Sequence, residues 1–221
     1  MEISPVAHIK SDFGSKFGVP RQSGLAPLLR AEIIPEKEFS RPEAFRGIDG
    51  FSHLWLIWGF SCNAGKWSLT VRPPRLGGNE RMGVFSTRSP FRPNALGLSC
   101  VKLEEIVENE SGIRLIVSGA DLVDGTPIYD IKPYVPYADC IADAQGGFAS
   151  GRPPEKLSVL FADGADEALS EEKAEALREI LSLDPRPAYQ DDADRIYGFH
   201  FDGREIKFKV NGDVLTVVSV Q

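Results

Sequence analysis

Eight prolines and glycines fall between Pro73 and Gly97: Pro73, Pro74, Gly77, Gly78, Gly83, Pro90, Pro93 and Gly97. Proline removes an amide donor and clashes with the preceding turn, and glycine weakens whatever helix it joins, so no helix is expected across this stretch. The segment must run as shaped loops carried by a scaffold on either side. The flanking sequence supplies short strand patterns: Ile3–Ile9, Leu28–Ile34, Phe51–Phe60, Trp67–Arg72 and Thr126–Lys132. Leu98–Val107 and Ile113–Gly119 read as a hairpin across Glu108–Gly112. The run FSHLWLIWGF at Phe51–Phe60 has the unbroken apolar look of a strand buried on both faces. Ser40-Arg41-Pro42-Glu43 matches a capping box and predicts a helix of about two turns closing at Gly47. Six or seven strands with one short helix predict a barrel or a sandwich.

The last third differs in charge and pattern. Met1–Cys140 carries sixteen basic and sixteen acidic residues, whereas Ile141–Gln221 carries nine and sixteen, so the whole net charge of −7 sits at the C-terminal end. Ala142–Pro154, rich in Gly, Ala, Ser and Pro, reads as a crossover. Lys156–Phe161 is a strand candidate, and Ser170–Leu183 is the clearest helix, with Ser170 as its cap and Leu177, Ile180 and Leu181 as its apolar stripe. Arg195–Phe201, Arg204–Val210 and Val214–Val220 read as strands joined at Asp202-Gly203 and Asn211-Gly212. The expectation is a mainly β protein: a barrel domain over residues 1–140 and a small α+β domain over 141–221.

Several chemistries lack their signature. No spaced-glycine dinucleotide turn, phosphate-loop lysine or glycine-flanked nucleophilic serine is present. His8, His53 and His200 lie far apart, so no metal site is expected, and His53 reads as a hydrogen-bonded core residue. Cys62, Cys100 and Cys140 form no metal or disulfide framework and read as small buried hydrophobes. No apolar run approaches the roughly 20 residues of a membrane helix, and Met1–Lys10 has no secretory pattern, so a cytoplasmic protein with no membrane association is expected.

Two clusters carry chemistry. Lys66–Arg92 holds Lys66, Arg72, Arg75, Arg81, Arg88 and Arg92 against Glu80 alone. Arginine presents a planar fork that suits phosphate or carboxylate, and these loops are stiffened by proline and bent by glycine, which favours an anion or ligand site over a solvated rim. Asp121–Tyr137 (DLVDGTPIYDIKPYVPY) is the second cluster. Strand alternation puts Ile128, Asp130 and Lys132 on one face, with Tyr134 and Tyr137 following. An acid, an ammonium and aromatic rings together suit proton transfer beside a stacked base, whereas an exposed ion pair alone contributes only about 0–1 kcal/mol.

The segments FGVPRQSG (Phe17–Gly24), FSHLWLI (Phe51–Ile57), VRPPRLGGN (Val71–Asn79), GVFSTRSPFRPN (Gly83–Asn94), DLVDGTPIYDIKPYVPYAD (Asp121–Asp139) and DPRPAY (Asp184–Tyr189) follow one another in an order that resembles the TsaA-like, TrmO-type family. That resemblance implies a β-barrel S-adenosylmethionine-dependent tRNA methyltransferase, homodimeric, that N6-methylates threonylcarbamoyladenosine next to the anticodon of threonine tRNA. It implies cofactor contacts from Arg21, Gln22, Ser23 and Gly24, from Arg88 in Ser86-Thr87-Arg88, from Leu98, and from Ser118, Gly119, Ala120 and Asp121. Ser61 and Cys62 stand where relatives carry His-Gln or Asp-Gln, so backbone contacts are expected there. Asp130, Lys132, Asn94, Tyr134 and Tyr137 are the catalytic candidates, and Arg72, Arg75, Arg81 and Arg92 the candidates for tRNA phosphates. A non-catalytic S-adenosylmethionine-binding barrel, or an enzyme acting on another RNA or a small metabolite, stays open at this point.

Overall fold

The structure is a computed structural model that describes residues 2–63, 65–110, 112–150, 157–186 and 192–221. Six antiparallel strands close into a barrel: β1 (Ala7–Lys10), β2 (Arg30–Pro35), β3 (His53–Gly59), β6 (Leu96–Asn109), β7 (Gly112–Ser118) and β8 (Pro127–Pro133). Their order round the barrel is β1-β2-β7-β6-β3-β8, and closure runs through Ala7 against Ile128. Closure removes the unpaired edges that an open sheet would present. A two-stranded ribbon, β4 (Thr70–Val71) with β5 (Met82–Gly83), lies in the proline- and glycine-rich segment. The strand expected over Trp67–Arg72 is thus two residues long, because the surrounding prolines leave few amides to pair.

The barrel interior is filled by alternate residues of each strand. Ile9, Ile33, Leu54, Leu56, Val101, Leu115, Val117 and Ile128 are fully or almost fully buried there. β3 corrects the expectation of burial on both faces. Leu54, Leu56 and Trp58 point inward, while His53, Trp55 and Ile57 are only half-covered on the outside. His53 is therefore not in the core: its Nδ1 lies 2.9 Å from Ser52 Oγ on the barrel exterior. The capping box also fails. Ser40 Oγ accepts from the Ile113 amide at 3.0 Å, tying the β2–β3 connection to β7, and the segment forms only two 3₁₀ turns, Pro42–Phe45 and Ile48–Gly50.

β8 holds the second correction. The register of β3 against β8 shifts between Ile57 and Trp58: Ile57 faces Asp130, yet Trp58 faces Ile128. Tyr129 is the extra residue of this bulge, and such an insertion reverses the side-chain phase. Ile128 and Ile131 both pack on the core, while Asp130 and Lys132 point outward beside Ile57 and Trp55. Ile128 and Asp130 are thus on opposite faces.

After the short helix α1 (Pro136–Asp139), β9 (Ser158–Phe161), α2 (Glu171–Ser182), β10 (Tyr197–Phe201), β11 (Arg204–Asn211) and β12 (Val214–Val220) form the second unit. Its sheet order is β10-β11-β12-β9, with β9 parallel to β12. α2 begins as its sequence demands: Ser170 Oγ accepts from the Lys173 amide at 3.3 Å. It buries Ala176, Leu177, Ile180 and Leu181, and each large side chain there contributes about 1.5–3 kcal/mol. The β10–β11 turn places Asp202 and Gly203 both at positive φ (54° and 72°), the geometry that Asp-Gly favours. In the next turn Asn211 still pairs with Val214, so Gly212 and Asp213 are the turn residues rather than Asn211-Gly212. Residues 151–156, the end of the expected crossover and start of the expected β9, and residues 187–189 of DPRPAY lie outside the described residues.

Candidate functional site

One mouth of the barrel opens into a cleft of about 530 Å³, within the range of small-molecule sites. Its wall combines the end of β3 (Trp58, Gly59), the start of β6 (Leu96, Gly97, Leu98), Ser61 and Cys62, Thr87, Arg88, Pro90 and Arg92, Asp121, and the loop after β1 (Lys16, Arg21, Gln22).

The floor is a hydrogen-bonded chain. Trp58 Nε1 donates to Ser99 Oγ at 2.9 Å, and Ser99 Oγ donates to Asp121 Oδ1 at 2.5 Å. Gly97 allows this, since a Cβ there would come within 2.3 Å of the Trp58 ring. Burial pushes the Asp121 carboxyl above the usual carboxylate range; the Ser99 hydroxyl, backbone N–H groups and the Arg88 guanidinium oppose that shift. Arg88 Nη1 donates to Gln22 Oε1 at 2.5 Å, which fixes the loop after β1 to the Ser86-Thr87-Arg88 turn. Ser23 Oγ accepts from the Cys100 amide at 3.2 Å. The Gly24 amide donates to Gly119 O at 2.8 Å, and a Cβ on Gly119, at φ +75°, would lie 3.2 Å from Gly24 Cα. A larger residue there is both crowded and strained.

The structure therefore brings Arg21, Gln22, Ser61, Cys62, Arg88, Leu98 and Asp121 to one cleft. Ser23, Gly24 and Gly119 brace it from behind, and Ala120 is buried. Ser118 turns the other way, its hydroxyl donating to Glu104 Oε1 at 2.6 Å. Cys62 is exposed at the cleft, Cys140 is exposed and Cys100 half-buried, so none of the three is the buried hydrophobe expected. Arg92 also lines the cleft: its Nη1 donates to Thr87 O at 2.7 Å, and its guanidinium lies 5.9 Å from the Phe85 ring centre. The bond to Thr87 O braces the loop through Nη1. Arg72, Arg75 and Arg81 lie outside the cleft on the exposed arm, with Arg81 Nη1 donating to Thr70 Oγ1 at 2.8 Å.

The other candidates stand apart. Asp130 and Lys132 form a 3.0 Å ion pair on the barrel exterior, with Tyr134 nearby against Trp55 at a ring separation of 5.7 Å. Tyr137 is exposed on α1, and Asn94 is exposed between the cleft residues Arg92 and Leu96. The two groups are linked by the sheet: Leu98 pairs with Ile57, and Ile57 with Asp130. Two strand spacings, about 10 Å, separate the Leu98 edge of the cleft from Asp130.

Lys16 escaped sequence reasoning. It lines the cleft, donates to Cys62 O at 3.1 Å and also hydrogen-bonds Asn63 Oδ1. Its signal was its place one residue ahead of FGVPRQSG, on a loop that the glycines already marked. With Lys16, Arg21, Arg88 and Arg92 against Asp121, the cleft carries four cations and one acid. Such a site suits a ligand that pairs a cationic centre with a carboxylate, and leaves positive field for a polyanion. S-adenosylmethionine fits on size and on both charges.

A closed antiparallel barrel with its ligand cleft at one mouth, and no Rossmann turn, defines a β-barrel cofactor-binding class. Within that class, the family model described as tRNA-methyltransferase O N-terminal domain matches residues 8–140, and the TrmO C-terminal domain matches residues 154–221. The chain belongs to the tRNA-methyltransferase O family. It is similar to the tRNA (adenine(37)-N6)-methyltransferase of Escherichia coli (strain K12), 43% identical over 196 residues that cover 86% of this chain and 83% of the relative. It is 34% identical over 146 residues to an S-adenosyl-L-methionine-binding protein of Archaeoglobus fulgidus, covering 66% of this chain and 98% of that one. The crystal structure of a TrmO superposes with a TM-score of 0.82 at 36% identity, covering 100% of this chain and 98% of that chain.

Proposed function

We propose that the barrel-mouth cleft holds S-adenosylmethionine and that the methyl group passes to N6 of threonylcarbamoyladenosine beside the anticodon of threonine tRNA. The chain is then an S-adenosylmethionine-dependent tRNA (adenine-N6)-methyltransferase. The observation that carries this reading is the meeting of Asp121 with Lys16, Arg21, Arg88 and Arg92 in one 530 Å³ cleft. When bound, the cofactor supplies an electrophilic methyl on a sulfonium.

Asp121 faces the cationic end of the ligand, and Lys16 its carboxylate, with charge-assisted hydrogen bonds as the source of affinity. Arg21, Gln22, Ser61, Cys62, Arg88 and Leu98 hold the remainder, and Ser23, Gly24, Ser118, Gly119 and Ala120 keep the wall in register. The nucleoside enters over Leu98 and Ile57 toward Asp130. Its N6 is acylated and weakly nucleophilic, so Asp130 is placed to take the N6–H proton; the cofactor, when held in the cleft, would supply the methyl carbon, its bond to sulfur breaking to leave a neutral thioether. Lys132 leaves its 3.0 Å partnership to hold the threonine carboxylate. Tyr134 or Tyr137 stacks on the base, and Asn94 reads its edge. Holding the two reactants in line supplies roughly 7–11 kcal/mol of barrier reduction without covalent help from the protein.

Arg72, Arg75 and Arg81 meet phosphates along the exposed arm. The reading includes a cytoplasmic homodimer; Trp67, Leu69 and Phe85, which are 57%, 72% and 76% exposed, offer apolar surface for a second copy. No described helix is long and apolar enough to cross a membrane. The test is mass spectrometry of nucleosides from threonylcarbamoylated tRNA incubated with protein and S-adenosylmethionine. A gain of one methyl on that nucleoside is expected, and its absence, with the cofactor bound, refutes the assignment.

A further inference from the structure

The loop between β1 and β2, which carries Lys16 and Arg21–Gly24 to the cleft, makes polar contacts with the barrel but buries its apolar side chains elsewhere. Phe13, Ala26 and Leu29 are buried in the other core, among Tyr197, Phe199, Phe201 and Phe208. Phe17 lies parallel to Phe208 (6.4 Å, 8°) and edge-on to Phe199 (6.1 Å, 82°). Gly18 sits so close that a Cβ would come within 2.4 Å of the Phe199 ring. Polar contacts follow the same path. Lys173 Nζ lies 2.5 Å from Asp12 Oδ2, the Asp202 amide donates to Asp12 O at 3.1 Å, and the Leu28 amide donates to Glu179 Oε2 at 2.8 Å.

The last contact reaches the cleft itself. Arg21 Nη2 donates to Arg186 O at 3.0 Å. That carbonyl is held in place by its own side chain: Arg186 Nε and Nη2 donate to the two Asp184 carboxylate oxygens at 2.9 and 3.0 Å, and the Arg186 amide donates to Asp184 Oδ1 at 3.3 Å. The Arg186 side chain is only 11% exposed, and Asp184 adopts a φ of 52°. A forked pair around a left-handed residue sets the course of the chain at that point.

We infer that the C-terminal unit is the mould of the cofactor loop, with Asp184 and Arg186 positioning Arg21, and Phe199 positioning Gly18, from outside the cleft. Its effect on affinity rests on the reading that the cleft binds S-adenosylmethionine; its effect on the loop does not. The ligand sees these residues only through where they place Arg21 and its neighbours, so losing them weakens cofactor binding more than turnover.

The test uses the full chain with Arg186→Lys, which keeps the charge and loses the fork. Hydrogen exchange is expected to quicken about tenfold or more at amides of residues 14–24 and to stay unchanged in β3 and β6. The KM for S-adenosylmethionine is expected to rise about tenfold, with kcat at saturation within about twofold. Unchanged exchange in the loop overturns the inference, as does equal loss of protection in the barrel strands, which marks general destabilisation. A loosened loop with unchanged KM also overturns it. Should that variant fail to fold, Phe199→Leu carries the same readouts. A wild-type chain that does not bind S-adenosylhomocysteine in calorimetry refutes the cofactor reading instead, and the exchange measurement still decides the mould.

Discussion

Asp121 Oδ1 and Ser99 Oγ lie 2.5 Å apart, with the Trp58 indole donating to the same hydroxyl at 2.9 Å. Burial holds the Asp121 carboxyl above its ordinary pKa, so over a window that opens at the usual carboxylate value the folded protein binds a proton that the unfolded chain has released. Its ionisation therefore costs stability as pH rises through that window, while a cationic ligand restores part of the cost. Cofactor affinity should rise with pH across the window. Asp121→Asn should weaken cofactor binding about 10- to 100-fold and flatten the pH dependence, as read by calorimetry at several pH values. An Asn variant with the wild-type pH profile would remove Asp121 from ligand binding.

Lys16→Met tests the carboxylate assignment with two ligands. S-adenosylhomocysteine should lose about tenfold in affinity, worth about 1.4 kcal/mol, while methylthioadenosine, which has no carboxylate, should bind as before. Equal losses for both ligands would show that Lys16 acts only through the fold of its loop.

Gly119→Ala places a methyl group 3.2 Å from Gly24 Cα at a φ of +75°. Strain and crowding together should cost about 1–3 kcal/mol of stability. Thermal unfolding should show a lower midpoint, with cofactor affinity reduced in the fraction that folds. A wild-type midpoint would mean that the β2–β7 mouth is not tightly closed.

Removing Arg72, Arg75 or Arg81 one at a time, each as Gln, should flatten the dependence of log K on log salt for tRNA by about one unit. Arg92→Gln should behave differently, because Arg92 is tied to Thr87 O: cofactor affinity should fall and the salt slope should change little. Four equal slope changes would return Arg92 to the phosphate contacts.

Asp130→Asn should lower kcat by at least about tenfold at saturating cofactor, without changing cofactor affinity. An unchanged rate eliminates Asp130 as the base, and its pair with Lys132 is then an exterior ion pair of small energetic worth.

Much of this was legible in the sequence because local physics decides it. Proline and glycine between Pro73 and Gly97 leave no α-helix there, only the single 3₁₀ turns Pro74–Leu76 and Val84–Ser86, and Ser170 with the stripe at Leu177, Ile180 and Leu181 produces α2 as read. The cleft residues from separate segments were located by resemblance, since nothing in spacing brings Gln22 to Arg88. The misses are non-local. Tyr129 carries no mark of a bulge, yet that one residue sends Asp130 outward. Ser40 looks like a cap until Ile113, seventy-three residues later, claims its hydroxyl. Lys16 directly follows the exposed Gly14 and Ser15, and only the fold sets it across from Cys62.

The burial of Phe13, Ala26 and Leu29 beneath strands that end at Val220 also bears on the order in which the protein is made. Synthesis delivers the whole barrel long before the residues that cover these side chains. A nascent chain can close its ring of strands and still lack a finished donor pocket. The packing partners of this early loop, from Tyr197 to Val217, thus follow it by more than 160 residues of chain.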